Sequence, residues 1–164
     1  MKKEANSRKL HIVLVVVTLA FLAFYVLKLC GYFDFTSRYG ITHITSTVSD
    51  GEGALMIDGD SLTCWNTYDR KIKPESEIVI YFSDEKEVSG VHLDQRGENS
   101  KILEFFTYSD GEWVKEDCEM DEAGDCIFPE AVRTDRIRIA IDSSLTEEDL
   151  EGVSWQIKEL EIYE

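Results

Sequence analysis

The segment Ala54 to Trp65 (ALMIDGDSLTCW) concentrates oxygen-bearing groups that suit a cation. Asp58 and Asp60 flank a glycine, and the hydroxyl of Thr63 follows three residues later. Hard oxygen ligands in a tight loop suit calcium, which takes roughly six to eight oxygens at about 2.3 to 2.6 Å. A loop closed by hydrogen bonds alone, with Asp58 capping backbone N–H groups, fits the same spacing. Both interpretations stay open, and Trp65 is expected in the core.

The sequence lacks the common catalytic motifs. It has no G-x-S-x-G, no glycine-rich phosphate loop and no H-E-x-x-H, and His11, one of its three histidines, falls in an apolar run. Because the chain has 33 aspartates and glutamates, carboxylate pairs are unavoidable and indicate no particular reaction. We therefore expect a protein that is not an enzyme.

An apolar run near the N-terminus predicts a membrane span. Leu10 to Leu27 is an almost unbroken run of 18 residues, and Lys28 can snorkel so that Leu29 extends it to 20, enough to cross about 30 Å of hydrocarbon. Basic residues precede the run and Asp34 follows it, which favours a cytosolic N-terminus. The predicted organisation is a cytoplasmic tail (1–9), a transmembrane helix (10–29), a juxtamembrane linker (30–40) and an extracellular domain (41–164).

Two processing events compete with an uncleaved anchor. A cleaved signal peptide has a shorter apolar stretch and small residues at its cleavage site, whereas this run ends Leu27-Lys28-Leu29-Cys30. Lipid attachment at Cys30 would need a small residue where Leu29 stands. The sequence therefore favours a single-pass protein of the cell membrane, with these two events as alternatives.

The chain beyond the apolar run is strongly acidic. Residues 34–164 contain 12 basic and 32 acidic side chains, a net charge of −20. Such a domain repels nucleic acid and anionic lipid at long range, so its expected partners are neutral or cationic, or require bound cations. Surface solubility of an exported domain accounts for the same composition.

Alternating apolar residues predict an all-β domain. Ile78 to Phe82 and Ile137 to Ile141 show the period of two that is typical of strands, and turn residues such as Ser83-Asp84 separate the segments. Seven or eight short strands without amphipathic helices predict an antiparallel β-sandwich. In the segment Leu145 to Leu150 we expect one helical turn capped by Thr146. A change of phase near Lys158 and Glu159 predicts a bulge in the last strand.

The four cysteines give one candidate disulfide. Cys118 and Cys126 lie eight residues apart across a turn-like segment, so a bridge that closes a hairpin is one interpretation in an oxidising exterior. Two buried free thiols are the other. Cys30 and Cys64 have no obvious mates, and no zinc pattern is present.

Six sequence blocks follow one another along residues 41–164. They are IDGDSLTCW, the strand Ile78 to Phe82, VSGV at 88–91, YSDGEW at 108–113, TDRIRI at 134–139 and IKELEIY at 157–163. In this order they resemble the discoidin or coagulation factor type C family, whose members are galactose-binding-like jelly rolls, and their sequences are most similar to the NADase-type glycan-binding domain of bacteria. The resemblance implies an antiparallel two-sheet β-sandwich behind the transmembrane helix of a bacterial protein.

The resemblance also implies a structural calcium ion that fastens the last strand to the first loop. Cys64 departs from the family pattern, which usually has an arginine or a small residue there. Carried over by position, the calcium ligands would be the Leu55 carbonyl, Asp58, Asp60, Thr63, the Lys158 carbonyl and the Glu159 carboxylate.

Sugar recognition needs an aromatic face and planar polar groups on exposed loops. Trp113 follows a turn within a strand and is expected in the core. The candidate carbohydrate-binding residues are Tyr68, Arg70, Gln95, Arg96, Asn99 and Trp155.

The favoured function is a membrane-anchored, extracellular, non-catalytic glycan-binding module. The alternative is a cell-surface protein-interaction module of the same fold, and lipid recognition ranks last because of the net charge. Convergence of Tyr68 and Trp155 on one concave patch would favour sugar, whereas scattered or buried aromatics would favour assembly.

Overall fold

The computed structural model describes Thr18 and residues 39–68, 72–95 and 102–164. The chain divides into two units, Met1–Phe35 and Thr36–Glu164. In the described residues no helix has the length and apolar character needed to cross a membrane, and the predicted span (10–29) lies outside them apart from Thr18. Three candidate sugar-binding residues, Arg70, Arg96 and Asn99, also lie outside them.

The described part of the second unit is built from antiparallel β-strands. Every strand pairing in it is antiparallel, which confirms the predicted all-β class. A 3-10 helix, Gly53–Met56, lies between the first two strands. The strands are β1 (Ile41–Ser46), β2 (Trp65–Asn66), β3 (Glu77–Gln95), β4 (Leu103–Ser109), β5 (Glu112–Lys115), β6 (Asp125–Ile141) and β7 (Gln156–Tyr163).

Two long strands, β3 and β6, pass from one layer of the domain into the other. The strand order is β2-β7-β3-β6-β4-β5, and β1 pairs with β3. The first part of β3 lies between β1 and β6, whereas its last part, 90–95, lies between β6 and β7. The ladder between β3 and β6 is irregular from Tyr81 to Lys86, which is where β3 leaves the first layer.

The structure corrects the prediction of separate short strands. The expected turn at Ser83-Asp84 is part of β3, and the predicted strand Ile137 to Ile141 is the last part of β6, which begins at Asp125. Residues 83–85 connect the two layers and are exposed. Their side chains do not pack against the core, so polar residues are tolerated there. A polar interruption of this kind has the composition of a turn although the backbone stays extended.

Side chains from both parts of β3 share one core. Ile78 and Ile80 are fully buried in the first part, and Val91 and Leu93 are buried in the second. Trp65 is 0% exposed, as expected from the sequence. The single core shared by both layers is the arrangement of a β-sandwich.

Trp113 corrects another expectation, because it is half-buried on the outer face of the sheet. It pairs with Tyr108 across β4 and β5, and the two rings lie 5.1 Å apart. Phe105 and Thr107, which alternate with Tyr108 along β4, take the inward positions. The Arg138 guanidinium lies 4.9 Å from the Trp113 ring.

The predicted bulge in the last strand is confirmed. Asp94 pairs with Glu159 and the next residue of β3, Gln95, pairs with Ile157, so Lys158 is the extra residue on β7. Its ammonium lies 3.4 Å from the Asp94 carboxylate.

Candidate ligand-binding groove

A groove of about 600 Å³ lies between two loops of the second unit. One loop follows β2, and the other precedes β7. Because β2 and β7 pair directly, with Trp65 opposite Ile157, their loops leave the sheet side by side. Among the described residues, its lining includes Tyr68, Ile72, Lys73, Glu147, Glu148, Leu150, Glu151 and Val153.

Backbone hydrogen bonds fasten the two loops together beneath the groove. The Thr67 N–H donates to the Trp155 carbonyl at 3.0 Å, and the Trp155 N–H donates to the Thr67 hydroxyl oxygen at 3.1 Å. Thr67 is 0% exposed, so both bonds are shielded from water. The floor is apolar, since the side chains of Ile72 and Leu150 are buried.

Tyr68 stands on the rim of the groove with 68% of its surface exposed. Its backbone has φ of 46°, a left-handed conformation that non-glycine residues adopt rarely. The Asn66 side-chain oxygen accepts a hydrogen bond from the Tyr68 N–H at 2.7 Å and holds that conformation. Asn66 is itself fixed, because its carbonyl accepts a bond from the Ser49 hydroxyl at 2.7 Å. The exposed ring is therefore presented by a backbone with little freedom.

The loop before β7 gives the groove its charge. Glu147, Glu148 and Glu151 are exposed, and their carboxylates form no hydrogen bond or ion pair within the part of the chain that the structure describes. The carboxylate of Asp149 is already engaged within the loop, because it accepts hydrogen bonds from the Thr146 N–H and hydroxyl. Those bonds lower the pKa of Asp149, the side-chain bond from Thr146 most.

The same loop contains the expected helical turn. The Leu150 N–H donates to the Thr146 carbonyl at 3.3 Å, and the Asp149 N–H donates to the Thr146 hydroxyl at 3.4 Å. Thr146 thus caps the turn as the sequence predicts.

Trp155 is a correction to the predicted sugar-binding set. It is 1% exposed and packs edge-on against Trp65, with the ring centroids 5.4 Å apart. An indole without an exposed face has nothing on which a sugar ring can stack. The sequence put it beside a loop correctly, but the residue faces the core beneath the groove.

Gln95, another predicted sugar contact, lines a separate cavity of about 250 Å³. Its side-chain N–H group donates to the Met120 sulfur at 3.1 Å. Three of the six candidate sugar-binding residues are described by the structure. Tyr68 lines the groove, whereas Gln95 and Trp155 lie elsewhere.

The predicted calcium loop is closed by its own hydrogen bonds. The Asp58 carboxylate accepts bonds from the Asp60 N–H at 2.9 Å and from the Thr63 hydroxyl at 2.7 Å. The Asp60 carboxylate accepts a bond from the Leu62 N–H at 2.9 Å. These bonds are those of the hydrogen-bonded alternative that the spacing left open.

The structure brings together part of the calcium ligand set that the resemblance implies. Across residues 39–68, 72–95 and 102–164, no three acidic, histidine or cysteine side chains gather closely enough to hold a metal ion. Asp58, Asp60 and Thr63 are brought together, but Glu159 does not join the two aspartates as a third carboxylate. Calcium at this loop stays a prediction, and no step of the proposed binding depends on that ion.

A disulfide and a second polar cluster lie at the loop between β5 and β6 and at the start of β6. Cys118 and Cys126 form a disulfide with 5.8 Å between their Cα atoms. The Asp125 carboxylate accepts a bond from the Tyr163 hydroxyl at 2.6 Å, and His92 Nδ1 lies 2.7 Å from the same oxygen. The Tyr163 bond, followed by the His92 contact, lowers the pKa of Asp125, and the bond to Asp125 raises the pKa of Tyr163 to about 12.

Sequence reasoning missed the floor and the acidic wall of the groove. Ile72 and Leu150 follow no strand pattern, and the acids at 147, 148 and 151 have the composition of an ordinary solvated loop. The signal that would have found them is the pairing of β2 with β7, which brings two loops about 80 residues apart into contact.

Similarity to known proteins is detectable in structure but not in sequence. No family model matches the chain, and no curated protein matches it. A family 32 carbohydrate-binding module of Clostridium perfringens superposes with a TM-score of 0.59 at 18% identity, over 80% of this chain and 98% of that one. A second module from that organism, solved with galactose, gives 0.58 at 20% identity, over 74% and 93%.

A chitosan-binding module of Paenibacillus, solved with chitotriose, gives a TM-score of 0.55 at 17% identity, over 74% of this chain and 95% of that one. At such identities the likeness establishes architecture and not ligand. The predicted jelly roll is confirmed at that level, while the NADase-type subfamily stays a prediction. The chain has the β-sandwich fold of these carbohydrate-binding modules.

Proposed function

We propose that the domain at residues 41–164 is a non-catalytic glycan-binding module that holds its ligand in the groove beside Tyr68. The observation that carries this proposal is an exposed aromatic ring, fixed on a constrained backbone, next to a groove with an apolar floor. A volume of about 600 Å³ is within the usual range of small-ligand sites. The solved neighbours support the class of ligand, since their descriptions name galactose and chitotriose as bound sugars.

Binding in this groove would combine stacking with hydrogen bonding. The face of Tyr68 offers an apolar platform for the C–H side of a pyranose ring. Carboxylates such as Glu148 and Glu151 accept hydrogen bonds from sugar hydroxyls, and charge-assisted bonds of this kind are about twice as strong as neutral ones. Trp155 contributes from below by fixing the loop that carries these acids.

We further propose the location that the sequence predicts: a cell-membrane anchor at 10–29, a cytosolic N-terminus and an extracellular domain. The support is the length of the apolar run, the basic residues before it, and a disulfide between Cys118 and Cys126, which suits an oxidising exterior. Oxidised and reduced samples of the full chain, extracted from membranes with thiols blocked, would test this placement. Cys118 and Cys126 recovered as free thiols from intact cells would contradict it.

The glycan proposal is tested by titrating the full chain, in detergent or nanodiscs, against a panel of oligosaccharides. Tyr68→Ala should lose between about twofold and about twelvefold in affinity, because an aromatic contact contributes about 0.5 to 1.5 kcal/mol. Ile127→Ala is the matched control, since Ile127 is 57% exposed on a strand away from the groove. No binding to any oligosaccharide, with the wild-type chain folded, would overturn the proposal.

The second candidate function is a protein-interaction module of the same fold. Burial of Trp155 favours it, because the two aromatics do not form one exposed patch. In that case the groove would receive a side chain of a membrane neighbour, and Tyr68→Ala would weaken a cross-link to that protein while the oligosaccharide panel stays negative.

A further inference from the structure

We infer that β5 is the docking site of a second copy of this chain, which adds its own β5 antiparallel to the open edge of the sheet. The strand order ends at β5, and within the described residues no strand pairs with its other side. An edge strand exposes unpaired backbone N–H and C=O groups, which another extended strand can bond. None of the described residues that line the groove beside Tyr68 lies on β5, so this interface goes beyond the proposed function.

The hairpin turn before β5 determines which of its backbone groups face the open edge. The two-residue turn at 110–111 has φ of 51° and 89°, as in a type I′ hairpin. In such a hairpin the residues that flank the turn bond each other, and every second residue along β5 then faces β4. The Glu116 N–H, which donates to the Phe105 carbonyl at 2.9 Å, follows this pattern. The N–H and C=O groups of Trp113 and Lys115 therefore point away from β4.

The positions of these groups determine how a second β5 can pair. Two antiparallel copies of one strand are related by a twofold axis perpendicular to the sheet, which keeps the outer faces of both copies on the same side. If Trp113 lies opposite Lys115 of the second copy, the outward-facing residues of both strands bond across the edge in about four backbone hydrogen bonds. Val114 then lies on the axis, opposite Val114 of the second copy.

The side chains of β5 are complementary to themselves in this register. Trp113 and Lys115 alternate with Val114 and lie on the outer face, where Trp113 pairs with Tyr108 and Lys115 pairs with Phe106. The pairing would bring the Lys115 ammonium beside the Trp113 ring of the second copy, which is a cation–π contact. On the other face Val114, which is 49% exposed, would be covered by its own counterpart.

Two rows of cations and rings on the outer face would become continuous across the edge. In one row Arg136 lies 4.2 Å from the Tyr108 ring, and the residue at the edge is Trp113. In the other row the residue at the edge is Lys115, and Arg138 lies on β6 behind it. Because one row ends in a ring and the other in a cation, each end fits the other end in a second copy. The edge therefore favours a second copy as its occupant.

The acidity of the domain weakens this contact and gives it a recognisable signature. Residues 34–164 have a net charge of −20, so two copies repel each other until salt screens the charges. In the same register Glu112 lies opposite Glu116 of the second copy, and like charges directly opposite destabilise a strand pair. An edge of four residues also falls short of the roughly 1,200 Å² that a stable complex buries. The pair should therefore form between chains concentrated in one membrane and strengthen when Glu112 loses its charge.

The experiment measures disulfide formation between full-length chains in liposomes, in a background of Cys30→Ser and Cys64→Ser. Val114→Cys would lie opposite itself, and opposed residues of antiparallel strands, about 4.5 to 5.5 Å apart at Cα, can form a disulfide. The matched control is Ile127→Cys, since Ile127 is 57% exposed on β6. Under a mild oxidant Val114→Cys should form dimers at least about tenfold faster than the control, because pairing raises the effective concentration of the two thiols.

Further variants test the register. Trp113→Cys and Lys115→Cys, on separately tagged chains, should cross-link with each other faster than either does with itself. Glu112→Gln should raise the rate of the Val114→Cys dimer at least about twofold, because it removes the opposed like charges. Glu130→Gln, which removes an exposed acid on β6, should change that rate less.

Equal rates for Val114→Cys and Ile127→Cys would overturn the inference, since the disulfides would then report random collisions. Cross-linking of Trp113→Cys with itself as fast as with Lys115→Cys would overturn it too, because that result excludes the register. In intact cells, a Val114→Cys disulfide to another protein, without one between copies, would assign the edge to that protein and overturn the inference as well.

Discussion

Replacement of Trp155 tests whether this residue supports the core, as its burial indicates, or contacts a sugar, as the sequence predicted. In Trp155→Ala a buried aromatic side chain is lost, and such truncations cost about 3 to 5 kcal/mol of unfolding free energy. The edge-on contact with Trp65 accounts for about 0.5 to 1.5 kcal/mol of this. Against a total stability of about 5 to 15 kcal/mol, this loss is a large fraction of the free energy of unfolding.

Trp155→Phe is the more informative variant because two effects oppose each other. The smaller ring leaves a cavity, yet the indole N–H of Trp155 is buried and has no hydrogen-bond partner among the described residues. A buried unpaired donor costs about 1 to 3 kcal/mol, and phenylalanine removes it. The backbone bond from residue 155 to Thr67 is kept, so we expect a net loss below about 2 kcal/mol.

The assay is urea unfolding of the full chain in detergent, followed by ligand titration at a urea-free condition in which each variant is folded. Trp155→Phe should bind with the wild-type affinity per folded molecule, because the buried ring supports the loop without touching the ligand. A Trp155→Phe chain of unchanged stability that no longer binds would refute this reasoning, since it would make the indole a direct contact.

Three further results are expected. Asp58→Ala should lower the free energy of unfolding by about 1 to 3 kcal/mol, with calcium or with chelator, because it removes the bonds from the Asp60 N–H and the Thr63 hydroxyl. If calcium instead raised the unfolding temperature of the wild type but not that of Asp58→Ala, the metal site would be established. The stability that Asp125 contributes is fully present above its unfolded pKa of about 3.9 and is lost as pH falls through its lowered native pKa, so acid unfolding of Asp125→Asn should show a weaker pH dependence than the wild type below pH 4. Arg138→Lys should lower the free energy of unfolding, measured in urea, by about 0.5 to 1.5 kcal/mol, because the guanidinium lies 4.1 Å from the Phe106 ring. An unchanged free energy of unfolding would mean that this stacking does not stabilise the domain.

The strands were predictable because burial on one face leaves a period of two in the sequence. Ile137, Ile139 and Ile141 alternate with polar residues and are all buried in β6. The bulge at Lys158 was visible for the same reason, as an extra residue that shifts the phase of β7. The exposed passage of β3 through Ser83 had no apolar period, so its extended backbone could not be told from a turn.

The site was predictable only in part, because no local pattern distinguishes a groove from the core beneath it. Tyr68 and Trp155 both flank strands, and their exposures of 68% and 1% depend on how β2 and β7 pair. Trp113 was predicted to lie in the core, but it lies on the outer face of the sheet, where it pairs with Tyr108. Residue type and spacing therefore identify the loops, whereas register across the sheet decides which side chain faces a ligand.

With one exposed aromatic among its described residues, the groove would bind each sugar of the proposed glycan weakly. One stacked ring and a few exposed charges supply far less free energy than the 8 kcal/mol or so of a micromolar complex, once the cost of immobilising the ligand is included. A protein of this kind gains effective affinity when several copies meet one polymer, because each later contact is intramolecular. The predicted anchor at 10–29 would provide that arrangement by holding many domains in one plane. The buried Trp155 thus argues for collective binding of a long chain more than for tight capture of a single sugar.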